Sequence, residues 1–243
     1  MEKETIYGIH AVLEAIKSSQ PIDKVWIQKG SKSKLFELLL NKLRLNSISF
    51  SFVPSEKLER FSAKNHQGVV ARIAAIKTME MVPLINEILQ QKKNPLFVLL
   101  DGITDVRNFG AILRSAAASG VDAVFISSSG SAPLNGDVVK TSAGGAFKVP
   151  ISKVSHLKDV VFHLKAQNVK IFGITEKAKE TVFKKNFEGP LALIFGSEDI
   201  GISKGLIKLL DDEAKLQMEN EIDSLNVSVT CGILFFEILR QRS

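Results

Sequence analysis

Hydrophobic and polar positions fall into two rhythms along this chain. In the first, Tyr7–Lys17 brings Ile9, Val12, Leu13 and Ile16 to one side and predicts a helix. Lys24–Gln28 reads as a strand, Lys34–Arg44 as a Leu-rich amphipathic helix, Ile48–Val53 as an alternating strand and Ser55–Phe61 as a short helix. His66-Gln67-Gly68 then turns into a strand over Val69–Ile76, with Gly68 permitting a turn or a close backbone approach that a Cβ would block. Strands alternating with helices imply a small α/β domain over residues 1–76. Residues 77–94, with a helix at Leu84–Gln91 behind Pro83 and then KKNP, are assigned to a linker.

The second rhythm starts at Pro95, and residues 95–243 form its domain. PLFVLLDG, AVFISSS, KIFGITE and LALIFGSE are apolar runs that predict buried strands, and AKLQM predicts a short one. Helices are predicted at Asn108–Ser119, Gly136–Thr141, Leu157–Gln167 and Ser203–Leu210. Continuous apolar strands separated by helices imply a mostly parallel sheet covered on both faces. Such sheets bind ligands at the carboxyl ends of their strands.

The last stretch, MENEIDSLNVSVTCGILFFEILR over Met218–Arg240, begins polar and becomes an apolar helix. Val227, Val229, Cys231, Ile233, Leu234, Phe235, Phe236, Ile238 and Leu239 do not fit one stripe of a 3.6-residue repeat. A helix apolar on most sides is buried on most sides, so it is expected between its own domain and a further surface such as a second subunit. Its polar start lies at a helix N-terminus, where unpaired N–H groups favour an anion or an electron-rich ligand. An ordinary core helix capped by Ser224 is the competing reading.

Composition narrows the class. The chain has 243 residues, 45% hydrophobic and 24% charged, which suits a soluble globular protein of one or two domains. No apolar run reaches the roughly 18 residues of a membrane span. MEKETIYGIHAV shows no signal-peptide pattern and there is one cysteine, so a reducing cytoplasm is expected. The four histidines (His10, His66, His156, His163) are scattered, and no metal site is expected. Net charge is +6, and residues 1–80 hold 13 Lys and Arg against 8 Asp and Glu. That excess in the front domain points to a polyanionic partner.

Three segments follow predicted strands: DGITDVRNFGAILR from Asp101, FGSEDIGIS from Phe195, and Met218–Asn226. Together they offer Asn108, Arg114, Glu198, Ser224 and Asn226. GxGxxG, GxxxxGK[ST] and GxSxG are all absent at the required places, so redox, phosphoryl-transfer and hydrolytic chemistry lack their usual parts. Group transfer from an activated cofactor remains open.

DGITDVRNFGAILRSAAASG, LALIFGSEDIGIS and SLNVSVTCGILFFE, in that order, resemble the three motifs of the SpoU/TrmH branch of the SPOUT RNA methyltransferases. YGIHAVLEAI and HQGVVARI resemble the family's small L30e-like substrate-binding domain. The arrangement is most similar to the bacterial 23S rRNA guanosine-2'-O-methyltransferase subgroup. The resemblance implies a deep trefoil knot in the C-terminal sheet, a homodimer through the knot and the C-terminal helix, and S-adenosylmethionine as cofactor. It places the cofactor beside Gly196, Leu216 and Leu225, with Met218 and Thr175. Catalysis would fall to Arg114, Asn108, Glu198, Ser224 and Asn226. Two departures bear on loop rigidity: Val106 stands where the first motif has Pro, and Gln217 and Asn220 stand where the third motif's lead-in has Pro and Gly. Asn tolerates positive φ, so that turn can survive.

The resemblance assigns deprotonation of a ribose 2'-hydroxyl to Arg114. A guanidinium with a free pKa above ~12 is a poor base, and a phosphate clamp that also stabilises the alkoxide suits it better. Asn108 and Asn226 are expected to orient the ribose and Arg114, and Glu198 to orient Arg114 or hold a loop N–H. The competing functions are a tRNA 2'-O-methyltransferase and a non-catalytic RNA-binding assembly factor.

Overall fold

The computed structural model describes residues 3–30, 33–60, 66–220 and 224–243. The expected helix end at Phe61 and residues 221–223 of the third loop lie outside them. The chain divides into two compact units, residues 1–77 with 133–148, and residues 78–132 with 149–243.

The first unit contains β1 (Lys3–Tyr7), α1 (Ile9–Lys17), β2 (Ile22–Gln28), α2 (Lys34–Leu45), β3 (Phe50–Val53), α3 (Ser55–Glu59) and β4 (Val69–Ala74). The sheet order is β1-β4-β2-β3, with β4 antiparallel to β1 and β2, and β3 parallel to β2. β1 is absent from the sequence reading, because Thr5, Ile6 and Tyr7 run directly into the helical pattern. Val25, Ile27, Val69, Ala71 and Ile73 pack against Val12 of α1 and Leu39 and Leu43 of α2. The opposite face carries Tyr7, Trp26 and Val70 with Leu58.

The second unit contains α4 (Met81–Gln91), β5 (Leu96–Asp101), α5 (Val106–Ser119), β6 (Ala123–Ser127), then, past the excursion to the first unit, which holds α6 (Gly136–Thr141), β7 (Ile151–Val154), α7 (Leu157–Ala166), β8 (Lys170–Ile174), β9 (Leu191–Gly196), α8 (Lys204–Ile207), β10 (Asp212–Ala214) and α9 (Val227–Gln241). Its six strands run in the order β10-β8-β9-β5-β6-β7 and pair in parallel throughout. Phe97, Leu99, Phe125, Ile171, Ala192 and Ile194 meet α4 and α7 on one face. On the other, Phe195 packs edge-on against Phe235 of α9 at 5.9 Å.

Two expected boundaries change. Residues 77–94 are no linker: α4 buries Leu84 and Ile85 in the core of the second unit. Residues 95–243 are not one continuous domain either, because 133–148 joins the first unit. There Val139 is fully buried among α1, α2 and sheet residues, and Gly136 lies so close to Thr5 that a Cβ would sit 1.9 Å from its carbonyl oxygen. α9 is also less enclosed than its composition implies. Val227, Cys231, Leu234, Phe235 and Ile238 are buried, while Val229, Phe236 and Leu239 are exposed. Among the described residues no helix is long and apolar enough to cross a membrane.

Candidate active site

Parallel strands leave their loops at one edge, and here three of those loops make a cavity of about 310 Å³. The end of β8 contributes Ile174, Thr175, Glu176 and Lys177, the end of β9 Phe195 to Gly201, and the chain beyond β10 Lys215, Leu216 and Met218. Ser224, Leu225, Val227 and Thr230 close it at the start of α9. The volume falls in the range of small-molecule sites, roughly 300–1,000 Å³. Its floor is apolar: Ile174, Phe195, Leu216 and Val227 are buried. Its rim holds the carboxylates of Glu176, Glu198 and Asp199 and the ammonium groups of Lys177 and Lys215. Thr175, Gly196, Leu216, Met218 and Leu225 therefore line one pocket.

Gly196 is required by the loop itself. A Cβ there would lie 1.9 Å from the carbonyl carbon of Gly201 and 2.1 Å from the nitrogen of Ile202. The backbone of the Gly201–Ile202 turn occupies that space, so the turn folds back over the end of β9 only because residue 196 has no side chain. The Gly201 N–H donates to the Ser197 carbonyl at 2.8 Å, and the Ser203 N–H donates to the Asp101 carboxylate at 2.7 Å. Asn220 takes φ +55°, the left-handed conformation that a glycine would otherwise supply.

Beside the pocket, three loops are tied by side chains. The Asn226 amide nitrogen donates to Glu198 Oε1 at 2.8 Å and to Asn108 Oδ1 at 2.9 Å. Asn108 Nδ2 donates to the same Glu198 oxygen at 3.2 Å, and the Val227 N–H reaches it at 3.5 Å. The amide orientation of Asn226 is determined by its second task. Its Oδ1 caps α9 by accepting the Ser228 N–H at 2.9 Å, which turns Nδ2 towards Glu198 and Asn108. The cap of α9 is thus Asn226, and Ser224 instead lines the pocket. Asn108 is held in turn by the cap of α5, where Asp105 Oδ1 accepts the Arg107 N–H at 2.7 Å and the Asn108 N–H at 2.9 Å. That cap sets the entry to α5 with Val106 at the first helical position, without a proline.

Arg114 stands apart. It is exposed on α5, does not line the cavity, and its side chain forms no hydrogen bond or ion pair with a described residue. Glu198 is therefore not its orienting partner here; the carboxylate is held by Asn108, Asn226 and the start of α9. Sequence reasoning missed Glu176, Lys177, Asp199, Ile200 and Lys215 in the lining. Their signal was position: each follows within a few residues of a parallel strand's carboxyl end.

The model of the SpoU rRNA Methylase family matches residues 95–236, and that for RNA 2'-O ribose methyltransferase substrate binding matches residues 5–79. The chain is 38% identical over 242 residues, 98% of each chain, to the 23S rRNA (guanosine-2'-O-)-methyltransferase RlmB of Haemophilus influenzae. It is 34% identical to the protein of the same name from Escherichia coli, covering 99% of both chains. Among solved structures, the SpoU methyltransferase AviRb of Streptomyces viridochromogenes in complex with AdoMet aligns with a TM-score of 0.81 and 22% identity, covering 99% of this chain and 90% of that one. This last likeness concerns the fold.

Proposed function

Since this chain belongs to the SpoU rRNA Methylase family, we propose that it methylates the 2'-hydroxyl of a ribose in RNA, a guanosine of 23S rRNA, using S-adenosylmethionine. The observation that carries the reading is the juxtaposition of one small-molecule pocket with a hydrogen-bonded Asn108–Glu198–Asn226 cluster, both built at the carboxyl edge of the parallel sheet. The residues present suit the cofactor: a buried apolar floor for a planar base, loop backbone groups around it, and acidic side chains at the rim for a cation. When bound, S-adenosylmethionine supplies an electrophilic methyl group on a positively charged sulfur.

The chain's own task is then orientation, which can contribute roughly 7–11 kcal/mol. Thr175, Gly196, Leu216, Met218 and Leu225 hold the donor. Asn108 and Asn226, locked by Glu198 and by the caps of α5 and α9, position the ribose, and Ser224 stands at the pocket wall for the same nucleotide. Arg114 clamps the target phosphate and stabilises the oxyanion that develops as the hydroxyl proton leaves to water. Its exposure in a single chain accords with a group that meets its partner only when RNA is bound.

Assembly as a homodimer belongs to this reading. Val229, Phe236 and Leu239 leave α9 with an exposed apolar face, at 50%, 49% and 41% exposure, opposite its buried one. The knot implied by the family resemblance is supported by the strand order, in which β9 lies between β8 and β5 while β10 returns to the edge beside β8. The first unit serves as the RNA-binding unit, supported by its substrate-binding family match and its excess of Lys and Arg. An rRNA substrate implies work in the cytoplasm.

The test is methyl incorporation into 23S rRNA from cells lacking this protein, followed by mapping of 2'-O-methyl sites. One new site on a guanosine is expected. The Arg114→Ala protein should retain cofactor binding and lose about 10²–10³ in transfer rate. An unmethylated rRNA, or full activity in that variant, would respectively remove the function or the assignment.

A further inference from the structure

The segment between β8 and β9, TEKAKETVFKKNFEGP, holds features that the pocket does not use. Val182 and Phe187 are fully buried, and Phe187 packs edge-on against Phe172 at 5.2 Å. Between them Phe183 is held outward on a 3-10 turn over Val182–Lys184, at 59% exposure the most exposed aromatic ring among the described residues. The turn is anchored rather than loose. Thr181 bridges to Lys215, and the Val182 N–H donates to the Lys215 carbonyl at 2.9 Å. Lys215 itself lines the pocket, so the turn that carries the ring is bonded to the chain that forms the pocket wall.

The charge around the ring is lopsided. Lys185 is tied to Glu180 at 2.6 Å and Asp212 at 2.7 Å, so those two carboxylates are already engaged. Lys177, Lys179, Lys184 and Lys215 form no ion pair with a described residue, and against these four cations the segment sets two further acids, Glu176 and Glu188. An exposed ring among unpaired lysines is the pattern that single-stranded nucleic acid favours: bases stack on aromatic faces while cations follow the phosphates. A lone exposed Phe would carry no such meaning. Its attachment to a pocket-lining strand end and its unbalanced cations give it one.

Resting on the reading of this protein as an RNA methyltransferase, we propose that Phe183 stacks on an unpaired nucleotide next to the target ribose, while Lys179 and Lys184 hold the adjoining phosphates and lead the strand to the pocket. Phe183 is thus a positioning residue for the RNA and takes no part in holding the methyl donor.

The experiment measures binding of a labelled single-stranded oligouridylate of about a dozen nucleotides by fluorescence anisotropy, over a range of salt. Phe183→Ala should weaken binding about tenfold and Phe183→Trp should restore it, with affinity for S-adenosylmethionine unchanged in both. That unchanged affinity also shows that the variants fold. Lys179→Ala/Lys184→Ala should lower the slope of log K against log salt by about 1.4, the release expected from two phosphates of a single strand. In turnover, Phe183→Ala should raise KM for RNA more than it lowers kcat. Wild-type affinity for RNA in Phe183→Ala, or conversion of a dimer to a monomer by that substitution, would overturn the proposal, the latter because the ring would then belong to a subunit interface. Failure of the wild-type protein to bind S-adenosylmethionine would instead bring down the methyltransferase reading on which the proposal rests.

Discussion

In the six-stranded sheet every strand points the same way and both faces are covered; in the four-stranded sheet β4 runs against its neighbours, and one face is only partly apolar. Lys24 and Arg72 are cross-strand partners on that second face, and the Arg72 guanidinium lies 5.2 Å over the Trp26 ring while reaching Asp23 at 3.6 Å. The contrast shows how strand direction allocates work. Parallel strands collect loops at one edge, where β8, β9 and β10 can form a pocket. A mixed sheet gathers no such set of loops, and what it presents instead is a charged and aromatic face suited to recognition.

The largest expected effect comes from separating the two units. Removing residues 1–77 alone strips the cover from Val138, Val139 and Ala146, all nearly or fully buried, and should give an aggregating protein. Removing 133–148 as well should leave a soluble unit that binds S-adenosylmethionine and no longer turns over long RNA. Calorimetric titration and a methylation assay distinguish these outcomes, and unchanged RNA turnover would end the division of labour.

Next come two glycines that face the same obstacle in different units. A Cβ at Gly196 or at Gly136 would meet backbone at 1.9 Å. Each Gly→Ala change should cost about 2–3 kcal/mol in urea unfolding. Only Gly196→Ala should also abolish cofactor binding. Equal loss of binding in both variants would show that the pocket depends on the first unit.

Helix caps give a smaller contrast. Asn226→Ala removes the α9 cap together with the bonds to Glu198 and Asn108, and should cost about 1–2 kcal/mol and lower kcat. Ser33→Ala in the first unit removes a bond to the Phe36 N–H of 3.3 Å and should cost about 0.5–1 kcal/mol with kcat unchanged.

The smallest effect is in acid. Arg240, and after it Gln241, hold the Glu237 carboxyl down at about 2 from an ordinary 4.5. A lowered folded-state pKa means that this contribution is full above pH 4.5 and is lost as pH falls towards 2. Glu237→Gln should flatten the fall in stability across that window, modestly, because Arg240 is largely exposed. In the first unit Glu14 is likewise lowered, chiefly by Lys17, and Glu14→Gln should act in the same direction.

How much was legible in the sequence varied with the range of the interaction. The apolar runs of β5, β6, β8 and β9 were legible because burial on both faces leaves no polar positions. Thr175, Gly196, Leu216, Met218 and Leu225, named from the family resemblance, do line the pocket, while Glu176, Lys177 and Lys215 beside them carried no signal beyond their place after a strand. β1 was not, since a short strand that runs into a helix has no boundary in its pattern. α4 was visible as a helix yet misjudged as a connector, because amphipathicity does not say which core its apolar face will join.

The order of residues thus determined the elements, the parallel sheet and the edge at which the cavity forms, since these follow from periodicity and from local backbone preference. Tertiary structure alone decided that residues 133–148 return to the first unit, that Glu198 is held by Asn108 and Asn226 and not by Arg114, and that Phe183 stays outside. Each of these depends on groups distant along the chain competing for the same space or the same hydrogen bond, and such competition is settled only when the folded neighbours are in place.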